Sequence, residues 1–139
     1  MNEITFVIPG KPRGKARPRF YAGHTYTPQD TREYERLAAF LYKKAAGGVF
    51  FDRSERVSVR VTAVYAIPKS ASKKARTAML DGSIVPTAKP DIDNVLKIVL
   101  DALNGVAYED DAQVGFVSAE KRYGEEPCAI VTVSPISET

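Results

Sequence analysis

Between Pro90 and Gly105 the sequence allows little but one amphipathic helix, with acids at its start. Pro90 disfavours helical geometry at Lys89, so the chain arrives extended. From Asp93 onward, Val95, Leu96, Ile98, Val99, Leu100, Ala102 and Leu103 recur at helical spacing. Asn104-Gly105 is a stop signal. Asp93, Asn94, Lys97, Asp101 and Asn104 form a polar stripe by their three- and four-residue spacings. Asp91 and Asp93, two apart in an extended approach, can turn both carboxylates to one side. The positive end of the helix dipole stabilises anions there by roughly 0.3–1 kcal/mol. Asp110-Asp111 follows the helix, and an antiparallel return is expected to bring it beside Asp91 and Asp93. Carboxylates gathered this way repel one another unless a cation lies between them. A divalent metal is the first expectation and a phosphate the second, with Lys97 one turn beyond Asp93 on the same face.

The metal would be a hard one. The chain has one cysteine, Cys128, and one histidine, His24, so thiolate and histidine-rich centres are excluded. Oxygen ligands favour Mg²⁺, with Mn²⁺ as a substitute, over zinc. The 139 residues suit one domain, expected to span 1–139, with one sizeable core. No apolar run reaches the length of a membrane span and no signal-peptide pattern opens the chain, so a cytoplasmic protein is expected. Residues 1–90 carry 17 Lys and Arg against 7 acids, whereas residues 91–139 carry 3 against 10. A basic portion beside an acidic cluster suits a protein that attracts a polyanion and sets metal-binding acids against it. Charges that merely solvate different faces would give the same count.

The remaining pattern predicts an α+β domain, a mixed β-sheet packed against helices, in the order β-α-β-α-α-β-β. Ile4–Ile8 alternates as a strand. A helix is expected from Thr27 as N-cap with Pro28 at its first position, a face of Tyr34, Leu37, Ala38 and Leu41, and a stop at Gly47-Gly48. Val57, Val59, Val61, Ala63 and Tyr65 alternate with polar neighbours in a long strand. Ser70–Leu80 reads as a short basic helix and Val106–Tyr108 as a short extended piece. Val114–Tyr123 and Ala129–Ser134 read as strands joined in a hairpin at Gly124–Pro127.

Pro9 to Tyr26 reads as a long loop, with three Pro, three Gly and five basic residues. Lys11, Arg13, Lys15, Arg17 and Arg19 alternate with Pro, Gly, Ala and no acid. They are the candidate DNA-binding residues, since phosphate contacts need no regular structure. Phe20, Tyr21 and Tyr26 can stack on exposed bases. The chemistry that fits acids, a lysine and a polyanion is metal-assisted phosphodiester hydrolysis. Taken one at a time, Asp93 can equally be an N-cap, Asp91 a turn residue and Asp110-Asp111 the cap of a turn.

Lys89-Pro90-Asp91-Ile92-Asp93-Asn94-Val95-Leu96-Lys97, then Asp101-Ala102-Leu103-Asn104-Gly105 and Tyr108-Glu109-Asp110-Asp111-Ala112-Gln113-Val114, resembles the signature of the RusA family of Holliday junction resolvases. The resemblance extends to the basic loop, Tyr26-Thr27-Pro28 and Glu33-Tyr34, with residues 48–88 matching only by pattern. It implies a Mg²⁺-dependent endonuclease, usually of phage or prophage origin. Such an enzyme acts as a homodimer that nicks four-way DNA junctions symmetrically, with no small-molecule cofactor and no membrane. By position, Asp91, Asp93 and Asp111 correspond to the family's metal-binding aspartates, with Asp110 second in line, and Lys97 to its essential lysine. Two alternatives stay open: an endonuclease of the same fold acting on forks or flaps, and a non-catalytic DNA-binding module. A Mg²⁺ phosphohydrolase acting on nucleotides is disfavoured by the basic N-terminal portion.

Overall fold

The structure, a computed structural model, describes residues 3–137. Strand β1 (Ile4–Pro9) is followed by a short hairpin, β2 (Arg19–Tyr21) and β3 (His24–Tyr26), and by helix α1 (Gln29–Ala46). Strand β4 (Val57–Ala66), helices α2 (Lys73–Leu80) and α3 (Ile92–Leu103), and strands β5 (Val114–Gly124) and β6 (Cys128–Pro135) complete the chain. Four strands form one mixed sheet in the order β1-β6-β4-β5. β6 runs antiparallel to both β1 and β4, and β5 pairs parallel to β4. The α+β reading therefore holds, as one domain.

Period-two patterning explains which face is covered. Val57, Val59, Val61 and Ala63 of β4 join Ile4, Phe6 and Ile8 of β1 and Ala129, Val131 and Val133 of β6 in one buried cluster. Val95, Ile98, Val99, Ala102 and Leu103 of α3, with Tyr34, Ala38 and Tyr42 of α1, close over it. Phe6 meets Tyr42 edge-on, 5.9 Å between centroids at 83°. The other face of the sheet carries polar pairs such as Thr5–Thr132 and Ser58–Ser134, hydrogen-bonded at 2.9 and 2.8 Å.

Five expectations change. The hairpin between the last two strands does not form, because β4 lies between them. The link Glu125–Pro127 instead steps over the end of β4. Gly124 sits at that step because a Cβ there would lie 2.6 Å from Val64 Cγ1. Of Val106–Tyr108, the first two residues fold back, their amides donating to the Leu103 carbonyl, while Tyr108 bridges to Phe51 and Asn104 as an extended residue. The loop 9–26 contains the β2–β3 hairpin, which places Arg19 on a strand. On α1 the buried face is Thr31, Tyr34, Ala38, Tyr42 and Ala46, so Leu37 faces outward. Helix ends shift by a few residues: Pro28 rather than Thr27 occupies the N-cap of α1, and α2 starts at Lys73 with Ser72 as its cap. Gly47 ends α1 with φ 57°, a left-handed conformation that suits glycine.

β4 is paired on both sides and β5 on one. Val61→Ala should therefore lower stability by about 2–3 kcal/mol, from lost methyl burial plus a residual cavity. Val117→Ala, on the outer strand, should cost less than about 1 kcal/mol. Chemical denaturation of the two variants checks the difference.

Candidate active site

The start of α3 is held by the ends of β4 and β5. The Tyr65 hydroxyl donates to the Pro90 carbonyl at 2.9 Å. Lys121 donates to the Ala88 carbonyl at 2.8 Å while lying 5.3 Å over the Tyr65 ring. Asp91 occupies the N-cap position, and its carbonyl accepts from the Asn94 and Val95 amides. Its carboxylate does not cap the helix. Lys89 grips both oxygens instead, at 2.9 and 3.0 Å. That hydrogen bond, then the Lys89 charge and more weakly Lys121, lower the Asp91 pKa below the usual carboxylate value. Asp93 lies in the first turn and is exposed. Lys97, one turn on, is 63% exposed and lies 3.8 Å from Asp101.

The second acidic element is the 3₁₀ turn Asp111–Gln113, and Gln113 explains its placement. This side chain is buried. Its amide N–H groups are shared among the carbonyls of Phe51, Asp52 and Glu55 at 3.2, 2.6 and 3.0 Å. Its carbonyl oxygen accepts from the Glu109 and Asp110 amides at 2.9 and 3.0 Å. Asp110 caps the turn, accepting from the Ala112 amide. That bond comes first among the causes that hold the Asp110 pKa low. The hydrogen bond to Asp110 raises Asp111, with burial and the charges of Asp110 and Asp101 acting the same way and Lys97 opposing. Asp111 therefore has the charges of Asp110 and Asp101 against it, with that of Lys97 opposing.

The basic loop is docked on α3 rather than free. Gly14 packs so closely that a Cβ would lie 2.7 Å from the Pro90 Cβ, and the Lys15 amide donates to the Asn94 carbonyl at 3.0 Å. Lys15 turns inward, to Glu35 of α1 at 2.7 Å and Asp101 of α3 at 3.1 Å. Arg13 is exposed but pairs with Asp30 at 3.2 Å. Lys11, Arg17 and Arg19 are exposed. Phe20 and Tyr21, at the hairpin tip, are 72% and 75% exposed, so no core holds them.

The structure thus brings Asp91, Asp93 and Lys97 onto the first half of α3. It returns Asp111 to the charges of Lys97 and Asp101 further along the same helix. At about 1.5 Å rise per residue, Asp101 lies roughly 12 Å along the axis from Asp93. Among the described residues no three acids, histidines or cysteines are gathered at metal-holding distance. The donors nonetheless suit a hard divalent cation: they are exposed carboxylate oxygens, and such an ion would offset the charges of Asp110 and Asp101 beside Asp111.

Residues 9–134 match the model of the family described as Endodeoxyribonuclease RusA. The chain belongs to the RusA endodeoxyribonuclease family. It is thus of a family of DNA-cleaving hydrolases that act on branched junctions and are generally dependent on a divalent metal. It is also similar to a Bacillus subtilis (strain 168) protein described as "Uncharacterized protein YqaN", 32% identical over 99% of each chain. Among the described residues no helix is long and apolar enough to cross a membrane.

Sequence reasoning did not foresee the roles of Gln113, Tyr65 and Lys121, nor the inward turn of Lys15. Gln113 had one signal, a polar residue three after Asp110, the spacing of a capping box. The partners of Lys15 on two helices had none. Gln113→Ala leaves several buried backbone groups unpaired and should cost about 2–4 kcal/mol, more than one ordinary hydrogen bond. Thermal or chemical denaturation measures the loss, and retention of full stability would show that the turn is held by other means.

Proposed function

We propose that this chain is a Mg²⁺-dependent Holliday junction resolvase that acts in the cytoplasm as a homodimer, making paired symmetric nicks. One observation carries the reading. In a chain of an endodeoxyribonuclease family, Lys97 stands exposed between the helix start bearing Asp91 and Asp93 and the turn bearing Asp111. Asp91, Asp93 and Asp111, with Asp110 beside the last, would be the cation's ligands, and they would have to draw together around it, since they are not gathered at metal-holding distance. When bound, it supplies an activated water and stabilises charge on the phosphoryl oxygens.

The chain's own groups do the rest. Lys97 offers an ammonium to the scissile phosphate, where charge grows in the transition state. Lys89 neutralises Asp91, and its exposed side chain would be free to leave that carboxylate to a cation. Lys11, Arg13, Arg17 and Arg19 guide the DNA backbone toward this site by phosphate contacts. Phe20 and Tyr21 at the hairpin tip suit stacking on bases unpaired at the branch. Two cuts on strands of like polarity call for two such sites, hence the dimer.

The test is a labelled synthetic four-way junction, with duplex and fork controls, with and without Mg²⁺. Paired nicks on the junction alone are expected. Equal cutting of forks would favour the flap and fork enzyme, and binding without cutting would favour a DNA-binding module. Asp91→Asn, Asp93→Asn and Asp111→Asn should each abolish cleavage, while junction binding survives or tightens. Native cleavage rates in these variants would refute the site. Replacing Lys11, Arg13 and Arg17 together with Ala should weaken junction binding and flatten its salt dependence by up to about three in log–log slope. An unaltered slope would remove the loop from the DNA surface.

A further inference from the structure

Lys15 lies in the most basic segment of the chain, yet its ammonium faces the protein. Its side chain is 17% exposed, against 63% for Lys97. It joins two carboxylates from different helices, Glu35 and Asp101, which are themselves only 19% and 28% exposed. Burial pulls its pKa down, but the hydrogen bonds to Glu35 and Asp101 outweigh this and the net shift is upward. The loop backbone is clamped at the same place, through Gly14 against Pro90 and the Lys15 amide on Asn94.

The oxygen of Asp101 that Lys15 holds, Oδ2, is also the one Lys97 approaches, at 3.1 Å for Lys15 and 3.8 Å for Lys97. Lys97 and Asp101 are four apart on α3, a spacing at which a carboxylate and an ammonium are neighbours on the helix surface. Here the Lys97 ammonium stays at 3.8 Å, while the inner lysine holds the acid at 3.1 Å. We infer that Lys15 is a positioning residue: by saturating Asp101 from the protein side, it leaves Lys97 free to reach a DNA phosphate. Its charge serves the cleavage step and not DNA binding. The inference rests on the reading that Lys97 serves the cleavage site.

Without Lys15, Glu35 and Asp101 become two carboxylates with no shared counter-ion. Lys97 is then the cation within reach of Asp101, and it folds down along the helix. An ammonium displaced by an ångström or more from the phosphate loses much of its effect on the rate.

The experiment uses the full chain and a synthetic four-way junction. Lys15→Met keeps the length of the side chain and removes its charge. Single-turnover cleavage with the junction saturated and Mg²⁺ present should fall by about 10- to 100-fold. Junction affinity and its salt slope should stay at native values, whereas a phosphate contact would lower the slope by about one. Adding Asp101→Asn to Lys15→Met removes the acid that captures Lys97 and should bring the rate back to within about threefold of native. Lys15→Arg should retain most of the activity. Unchanged cleavage in Lys15→Met, a reduced salt slope, or no recovery in the double variant would overturn the inference.

A readout without cleavage separates this inference from the function it rests on. Nitrogen-15 NMR of the lysine ammonium groups should show Lys97 averaged in the native protein and held against Asp101 in Lys15→Met. If Lys97→Ala cuts at the native rate, the active-site reading fails, and the NMR comparison still decides whether Lys15 controls Lys97. Should Lys15→Met not fold, Asp101→Asn alone decides. A rate at or above native supports the inference, and a loss of more than about tenfold, the scale of a missing positioned group, overturns it.

Discussion

The parallel pairing of β4 with β5 is the constraint from which the rest of the architecture follows. Parallel neighbours cannot be joined by a tight turn, so the chain must travel back from the end of β4 to the start of β5. Helix α3 makes most of that return, across the apolar face of the sheet. Its start is consequently pinned near the far end of β4, where Tyr65 holds Pro90. The acidic turn that follows it is pinned near the beginning, where Gln113 grips the carbonyls of Phe51, Asp52 and Glu55. The acids before and after α3 are thus placed by sheet topology, and Lys97 lies on the helix between them.

Charge is handled locally. Three carboxylates near α3 have a lysine against them. Lys89 sits on Asp91, and Lys15 bridges Glu35 and Asp101. The Asp110–Asp111 pair has only the opposing field of Lys97 and, at Asp110, of Arg53. An exposed ion pair such as Lys89–Asp91 is worth little in water and is readily exchanged for another cation. The half-buried Lys15 bridge is different in kind. Removing its one cation would strand two poorly solvated acids, so it behaves as a fixed part of the fold.

Much of this was legible in the residues. The alternation through Val57–Tyr65, the apolar spacing of Val95–Leu103 and the stops at Gly47-Gly48 and Asn104-Gly105 all have local causes, and the structure follows them. The candidate acids could be proposed from sequence too, since charge clustering and a family-like motif are both properties of sequence order. Errors arose where two arrangements share a local pattern. Gly124–Pro127 can close a hairpin or step over a strand, and only the insertion of β4 between β5 and β6 decides. Leu37 was expected on the buried face of α1, but packing against β1 and α3 buries Tyr42 and leaves Leu37 outward.

The sequence by itself determined the class of the fold, and it supplied the candidate acids, the candidate lysine and the basic segment. Each depends on residue type and short-range spacing. Tertiary structure decided which charges meet. Lys15 lies in a run with Arg13 and Arg17 that looks uniform along the chain. Yet it alone of that run turns inward to Glu35 and Asp101, because Gly14 lets the loop backbone lie directly on Pro90 and Asn94. An ion pair spanning twenty or more residues leaves no periodic trace in the sequence. It exists only once two helices and a loop have been packed within a few ångströms of one another.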